Sequence, residues 1–233
     1  MIVSINQPAF IPWLGYFHRI MKSDLHVVLD HVQFEKNSYT NRNRIKTPNG
    51  PHWLTIPLIT SGKFGDLAID KIEIFNDGKW QKKISETIKQ FYKRAPYFNT
   101  YFNDLESIIN QEYKLLNDLL KRTNFFFFEI LGITTPLKYS SEMQVEGVKN
   151  ELVLNICLAT GCTHYISGPL GKDYLAEEDF TKKNIRVLYH DFFHPVYKQL
   201  YGEFLPNLSV IDLIFNEGNN SGNILTQISL QHA

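Results

Sequence analysis

Four stretches of this chain concentrate side chains that could do chemistry. In Asn6-Gln7-Pro8-Ala9-Phe10-Ile11-Pro12-Trp13, two prolines in five residues stiffen the backbone, and Gln7 offers a neutral donor and acceptor. A helix starting just beyond would present its N-terminus to an anion, with Gly15 allowing close backbone approach. A rigid strand-to-helix turn, with Gln7 satisfying backbone groups, would have the same composition. Asn41-Arg42-Asn43-Arg44-Ile45-Lys46 packs three cations and two amides into six residues. In a strand, Arg42, Arg44 and Lys46 share one face, a row able to grip phosphate or carboxylate or simply to meet solvent. Ser167-Gly168-Pro169-Leu170-Gly171-Lys172-Asp173-Tyr174 resembles a phosphate loop only in its glycines and lysine. The P-loop pattern needs a longer spacing and a Ser or Thr where Asp173 stands, so Tyr174 and backbone amides remain as ligand contacts. Residues 190–212 hold His190, Asp191, His194, Tyr197, Gln199, Glu203 and Asp212.

The first three of that last set could pose as metal ligands, but Pro195 breaks helical geometry after His194 and no other His or Cys cluster completes a shell, so no metal is expected. No Gly-x-Ser-x-Gly elbow supports a nucleophilic triad. Asp30 follows the apolar run 27–29, and Asp212 lies inside the apolar run 210–215. A carboxylate in such surroundings can have a raised pKa and act as a general base, or it can serve as a cap or an arginine partner.

The positioning elements follow from hydrophobic period. Residues 2–5 read as a buried strand, 13–22 as a helix, and 25–29 as a second strand, which together form a right-handed βαβ unit. Residues 30–59 read as an irregular antiparallel excursion with β-type stretches at 32–34 and 53–58 and a turn at Asn49-Gly50. Alternation predicts another strand at 69–75, and apolar spacings of three and four predict a helical insertion over about 79–131. Strands at 133–139, 164–167 and 185–189 alternate with helices at 150–160, 177–183 and 210–215, the last capped by Ser209. This rhythm predicts an α/β fold with a mostly parallel, Rossmann-like sheet. Ligands of such sheets bind at the strand carboxyl ends. Gln7, Gly15, Tyr16, Gly168 and Tyr174 should therefore surround one cleft, closed by Tyr197 and Gln199 and flanked by Asn41, Arg42, Arg44 and Lys46.

Composition bounds the function classes. The 233 residues carry 24 Lys plus Arg against 24 Asp plus Glu, so no nucleic acid partner held by net charge is expected. Cys157 and Cys162 build neither a disulfide framework nor a four-thiolate zinc site, which fits a reduced compartment. The opening Met-Ile-Val-Ser-Ile lacks a basic signal-type region, and the longest apolar run, 125–128, is far too short for a membrane span. A cytoplasmic protein is the expectation.

Read in order, the segments resemble the WbqC-like family. The matching residues are Asn6-Gln7-Pro8, Ile11-Pro12-Trp13-Leu14-Gly15-Tyr16-Phe17, Ser23-Asp24, Val27-Val28-Leu29-Asp30, Val32-Gln33-Phe34, the 41–46 row and Trp53-Leu54-Thr55-Ile56-Pro57. They continue with Ser140-Ser141-Glu142, Ser167-Gly168, Tyr174-Leu175, Tyr197-Lys198-Gln199 and Leu208-Ser209-Val210-Ile211-Asp212-Leu213. The resemblance implies a single domain over 1–233 and an enzyme of bacterial surface polysaccharide (O-antigen) biosynthesis, a glycine transferase that moves an acyl or aminoacyl group onto a sugar. It implies a small-molecule or sugar-linked substrate, names no cofactor or oligomeric state, and carries over no catalytic residues. A looser likeness is to the nucleotidyltransferase superfamily, including pantothenate synthetase, which holds ATP with His-x-Gly-His at a helix start. Trp13-Leu14-Gly15-Tyr16 keeps that glycine and lacks both histidines. ATP-dependent adenylation and non-catalytic sugar-nucleotide binding are the competing expectations.

Overall fold

The computed structural model describes residues 1–62, 65 and 67–228. Strand β1 (Ile2–Asn6) leads through helix α1 (Leu14–Met21) to β2 (Leu25–Val28). A hairpin, β3 (Arg42–Thr47) and β4 (Gly50–Thr55), follows. Helices α2 (Trp80–Tyr92), α3 (Phe98–Ile109) and α4 (Leu116–Leu131) form the insertion. Then come β5 (Leu137–Tyr139), α5 (Asn150–Ala159), β6 (His164–Ser167), α6 (Glu177–Thr181), β7 (Arg186–Tyr189), α7 (Val210–Glu217) and α8 (Ser221–Thr226).

Five strands form one sheet in the order β5-β2-β1-β6-β7, and every neighbouring pair is parallel. The chain winds one way from β1 to β2 and the other way from β1 to β6, so the switch point lies between β1 and β6. Because the pairs are parallel, Gln7, Leu29, Ser140, Gly168 and His190 all leave the same edge.

The sheet's two faces differ in chemistry. Val3, Ile5, Leu25, Val27 and Tyr165 pack with Leu152, Ile156 and Phe180 in one core. The register pairs Ser4 with His26 and with Ile166, so a serine and a histidine sit on the opposite face, and both are fully buried. A covered parallel sheet is ordinarily apolar on both faces, so this polar interlayer is a departure that marks a site. The larger core joins α1 (Phe17, Ile20), the hairpin (Ile45, Leu54), the insertion and α7.

Two expected strands are absent. Residues 69–75 form a 3-10 turn at Ile69–Lys71, followed by single antiparallel bridges from Glu73 to Leu115 and from Leu58 to Ile74. Ile69, Ile72 and Ile74 are buried, but the 3-10 turn makes the first step three residues instead of two, and successive residues pair with different segments, so no ladder forms. Residues 32–34 contribute one bridge, Gln33 to Ala68. The hairpin turn lies one residue earlier than Asn49-Gly50. Thr47 and Gly50 form the last pair, and Gly50 takes φ +98°, a conformation glycine adopts without strain. Helix α8 had no expectation attached to it. Among the described residues no helix is long and apolar enough to cross a membrane.

Candidate functional site

Helix α1 runs back over the polar face, and its side chains lean toward its own N-terminus, at the sheet's carboxyl edge. Arg19 is therefore carried toward the switch point. A Cβ built on Gly168 would lie 2.5 Å from Arg19 Nη1, so glycine there is what makes room for the guanidinium. Arg19 is 7% exposed, and its Nε is buried without a partner. Among the described residues the single ion pair is Lys182–Asp179, so no carboxylate balances Arg19. Burial lowers its pKa, and the groups that act back on it are the neutral phenols of Tyr165, Tyr16 and Tyr174. A guanidinium held this way is costly until an anion joins it.

Two imidazoles near this cation are neutral. His26 Nδ1 lies 2.8 Å from Ser4 Oγ, which lies 2.8 Å from Ser23 Oγ, which donates to Ile20 O at 2.8 Å. Satisfying all three contacts makes Ser4 the donor to Ser23 and His26 Nδ1 the donor to Ser4. His26 Nε2 is then a bare, buried acceptor. Burial first, and Arg19 next, pull the His26 pKa down to about 3. His190, at the end of β7, is likewise pulled down to about 3 by burial, then by Arg19 and His18.

A cavity of about 340 Å³ opens between β2, β5 and α4, walled by Tyr16, Val28, Asn117, Phe128 and Tyr139. Tyr16 joins the two places, since Arg19 and Tyr139 both act on its phenol, whose pKa burial raises. Asp30 lies behind Asn117. Its Oδ1 accepts from Ser141 N (2.9 Å) and Ser140 Oγ (3.2 Å), and its Oδ2 from Asn117 Nδ2 (2.9 Å) and Ser141 Oγ (3.0 Å). The carboxylate is fully buried and holds the β2 and β5 ends to α4.

The structure divides the sequence-derived site residues into groups. Gln7, Tyr16, Gly168 and Tyr174 stand at the carboxyl edge around the switch point. Gly15 serves packing, because a Cβ there would overlap the Trp13 indole. Asp212 belongs to a closed network under α7. Its two oxygens accept from Tyr92 (2.7 Å) and Tyr197 (2.8 Å), and burial raises its pKa against the pull of those bonds and of Lys46. Lys46 is 3% exposed and donates to Gln199 Oε1 at 2.9 Å and to Glu203 O at 2.5 Å. The cationic row is thus split: Lys46 is interior, while Arg42 and Arg44 lie 4.3 and 5.5 Å from the exposed Trp53 ring. Arg42 donates to Asn37 O (2.6 Å), Asn41 to Ile56 O (2.8 Å), and Asn43 to Phe10 O and Ile11 O (3.1 and 2.8 Å). The amide face of β3 therefore braces the loop after β1. Among the described residues no group of three or more His, Cys, Asp or Glu is placed to hold a metal ion.

Sequence reasoning missed Arg19, His18 and His26. A signal existed for the first: Arg19 lies three residues after Tyr16 in a short, otherwise largely apolar helix that is buried from Leu14 to Ile20.

The comparisons with known proteins agree with this architecture in extent. The model of the WbqC-like protein family matches residues 7–224, a span that contains the Gln7 turn, Arg19, Asp30, Gly168, His190 and Asp212. The uncharacterized protein Rv1507c of Mycobacterium tuberculosis (strain ATCC 25618 / H37Rv) is 34% identical over 218 residues, covering 93% of this chain and 94% of the relative. No solved structure matches. With nearly the whole chain matched by one family model, this protein belongs to the WbqC-like protein family.

Proposed function

We propose that this protein is a transferase of bacterial surface polysaccharide (O-antigen) synthesis that places an acyl or aminoacyl group, such as glycyl, on a sugar carried by a nucleotide or lipid diphosphate. The observation that carries the reading is Arg19: a buried guanidinium without a carboxylate partner among the described residues, at the switch point of a parallel sheet, with Gly168 leaving room beside it. A diphosphate or carboxylate oxygen pair matches the planar fork of a guanidinium. The cavity on the far side of Tyr16, near the small end of ligand pockets, offers Tyr16, Phe128 and Tyr139 to one face of a sugar ring.

In this reading Arg19 and the Gly168 backbone hold the anionic carrier, Tyr174 and Gln7 close over it, and Tyr16 lies between carrier and ring. Asp30 acts by positioning, since it fixes Asn117 in the cavity wall and braces the β2 and β5 ends. Asp212, Tyr197, Gln199 and Lys46 hold the loop before α7, and Arg42 and Arg44 form an outer cationic rim. The membership in the WbqC-like family supports the substrate class through the resemblance described above.

Thermal unfolding against UDP- and dTDP-sugars, ATP and activated acyl donors tests the assignment. A bound ligand at a hundredfold excess over its dissociation constant stabilises by about 2.7 kcal/mol. Stabilisation by sugar nucleotides, lost in Arg19→Met, and turnover with an acyl donor are expected. A sugar-nucleotide shift that survives Arg19→Met contradicts the anion seat, binding without turnover makes this a binding protein, and a shift with ATP alone favours adenylation.

A further inference from the structure

The pair His18 and His190 joins α1 to the end of β7 beside Arg19, and its hydrogen bonds determine where the protons are. His18 Nε2 lies 3.0 Å from Ile228 O. A carbonyl only accepts, so Nε2 carries the proton and donates. Neutral His18 then has a bare Nδ1, which lies 2.7 Å from His190 Nε2, so His190 donates through Nε2 and is left with a bare Nδ1. The rings sit 5.0 Å apart, Phe192 stacks on His190 at 5.9 Å, and the His190 backbone N–H is tied to Ser167 O at 2.8 Å. The ring is clamped, its tautomer is imposed by a carbonyl at the far end of the chain of bonds, and its remaining lone pair is carried by a ring that feels Arg19, a cation with no carboxylate partner among the described residues.

We infer that His190 Nδ1 is the proton acceptor of this cleft, oriented by His18 and switched on when an anion occupies Arg19. The step rests on the transfer reading above. As the acceptor hydroxyl or amine attacks the carbonyl carbon of an activated acyl donor, a new C–O or C–N bond forms and the bond to the leaving group breaks with its electron pair. The proton of the attacking group passes to His190 Nδ1. The groups that face His190 are Arg19 and His18 from α1, with Asp191 next in its own segment, and Arg19 is in turn faced by Tyr165 and Tyr174. Burial first, and the Arg19 cation next, suppress protonation of the free site. An anion on Arg19 offsets that charge, so that the base strengthens when substrate is present.

Histidine-selective ¹⁵N NMR on the full chain, with inorganic pyrophosphate as probe, tests this. The Nε2–H, bare Nδ1 tautomer of His190 is expected in the free protein. Pyrophosphate is expected to raise its proton affinity at least tenfold in the wild type and to leave it unchanged in Arg19→Met. His18→Leu should release the tautomer, and His18→Asn, whose Oδ1 takes the place of the imidazole acceptor, should restore it. A protonated Nδ1 in the free protein, or pyrophosphate binding without a response at His190, overturns the assignment of the base alone. Failure of pyrophosphate to bind overturns the anion seat and this inference together.

Discussion

Arg19→Met is the most informative single change, because the geometry predicts opposite effects on stability and on binding. Methionine fills nearly the same volume with a flexible apolar chain. In the native protein the guanidinium is 7% exposed, its Nε lacks a partner, and no carboxylate among the described residues pairs with it. Removing a buried charge of this kind is expected to be neutral or to stabilise, by up to about 1–4 kcal/mol. Anion binding should move the other way. Each charge-assisted hydrogen bond lost is worth about 1.5–3 kcal/mol, roughly 10- to 150-fold in dissociation constant. A third readout is internal: Arg19 is the second cause, after burial, of the low His26 and His190 pKa values, so both imidazoles should titrate part of the way back toward 6.5. Urea unfolding, calorimetric titration with pyrophosphate, and NMR titration of the imidazole protons measure the three effects. A variant that loses several kcal/mol of stability while keeping its pyrophosphate affinity would show that Arg19 holds the fold rather than a ligand.

Gly168→Ala sets a Cβ 2.5 Å from Arg19 Nη1, and the flexible end of the arginine can swing away, so the expected outcome is about tenfold weaker anion binding, near 1.4 kcal/mol, with little change in unfolding midpoint. Acid should destabilise the protein: with folded-state pKa values of about 3 for His26 and His190, the unfolded chain gains protons below pH 6.5 that the native state refuses, and stability falls as pH drops through that window. By pH 5 the loss is up to about 2 kcal/mol per histidine, and His26→Gln should remove one such share; unfolding free energies equal at pH 7 and pH 5 would refute it. Asp212 has the opposite sign, since a raised carboxyl pKa adds stability in acid that is lost as pH climbs above 3.8 and through its folded-state value, so it offsets part of the histidine loss. Tyr92→Phe deletes the hydroxyl that donates to Asp212 and accepts from Lys46 N at 3.0 Å, which should cost about 1–3 kcal/mol in urea unfolding without altering pyrophosphate affinity.

The βαβ opening, the helical insertion and the later strands were legible because each buries one periodic face, and period survives in sequence. The stretch 69–75 misled because Ile72 and Ile74 are buried like alternate residues of a strand, while a 3-10 turn at Ile69–Lys71 shifts the phase before them and their backbones answer to separate partners. Burial pattern reports a face, not a ladder. Among the site residues, Gln7 and Gly168 could be paired in advance, since adjacent parallel strands must put them on one edge. Arg19 could not, because its meaning depends on a glycine after β6 and on the absence of a carboxylate partner among the described residues. The carboxylates Asp30 and Asp212 were visible beside apolar runs, but their donors come from distant segments, Asn117 and Ser141 for one and Tyr92 and Tyr197 for the other. Likewise the cationic alternation of the 41–46 row was sound, yet whether each cation meets solvent or an interior carbonyl was decided by residues 199–207, which close over Lys46 and Arg44.

The central claim is that an anion binds between β1 and β6 on Arg19. A crystal structure of the wild-type protein grown with UDP measures this directly. The account predicts phosphate oxygens about 2.7–2.9 Å from the Arg19 Nη atoms and beside the Gly168 backbone, with the Arg42 and Arg44 side chains still against Trp53. A diphosphate ordered on Arg42 and Arg44, with none at Arg19, would contradict it.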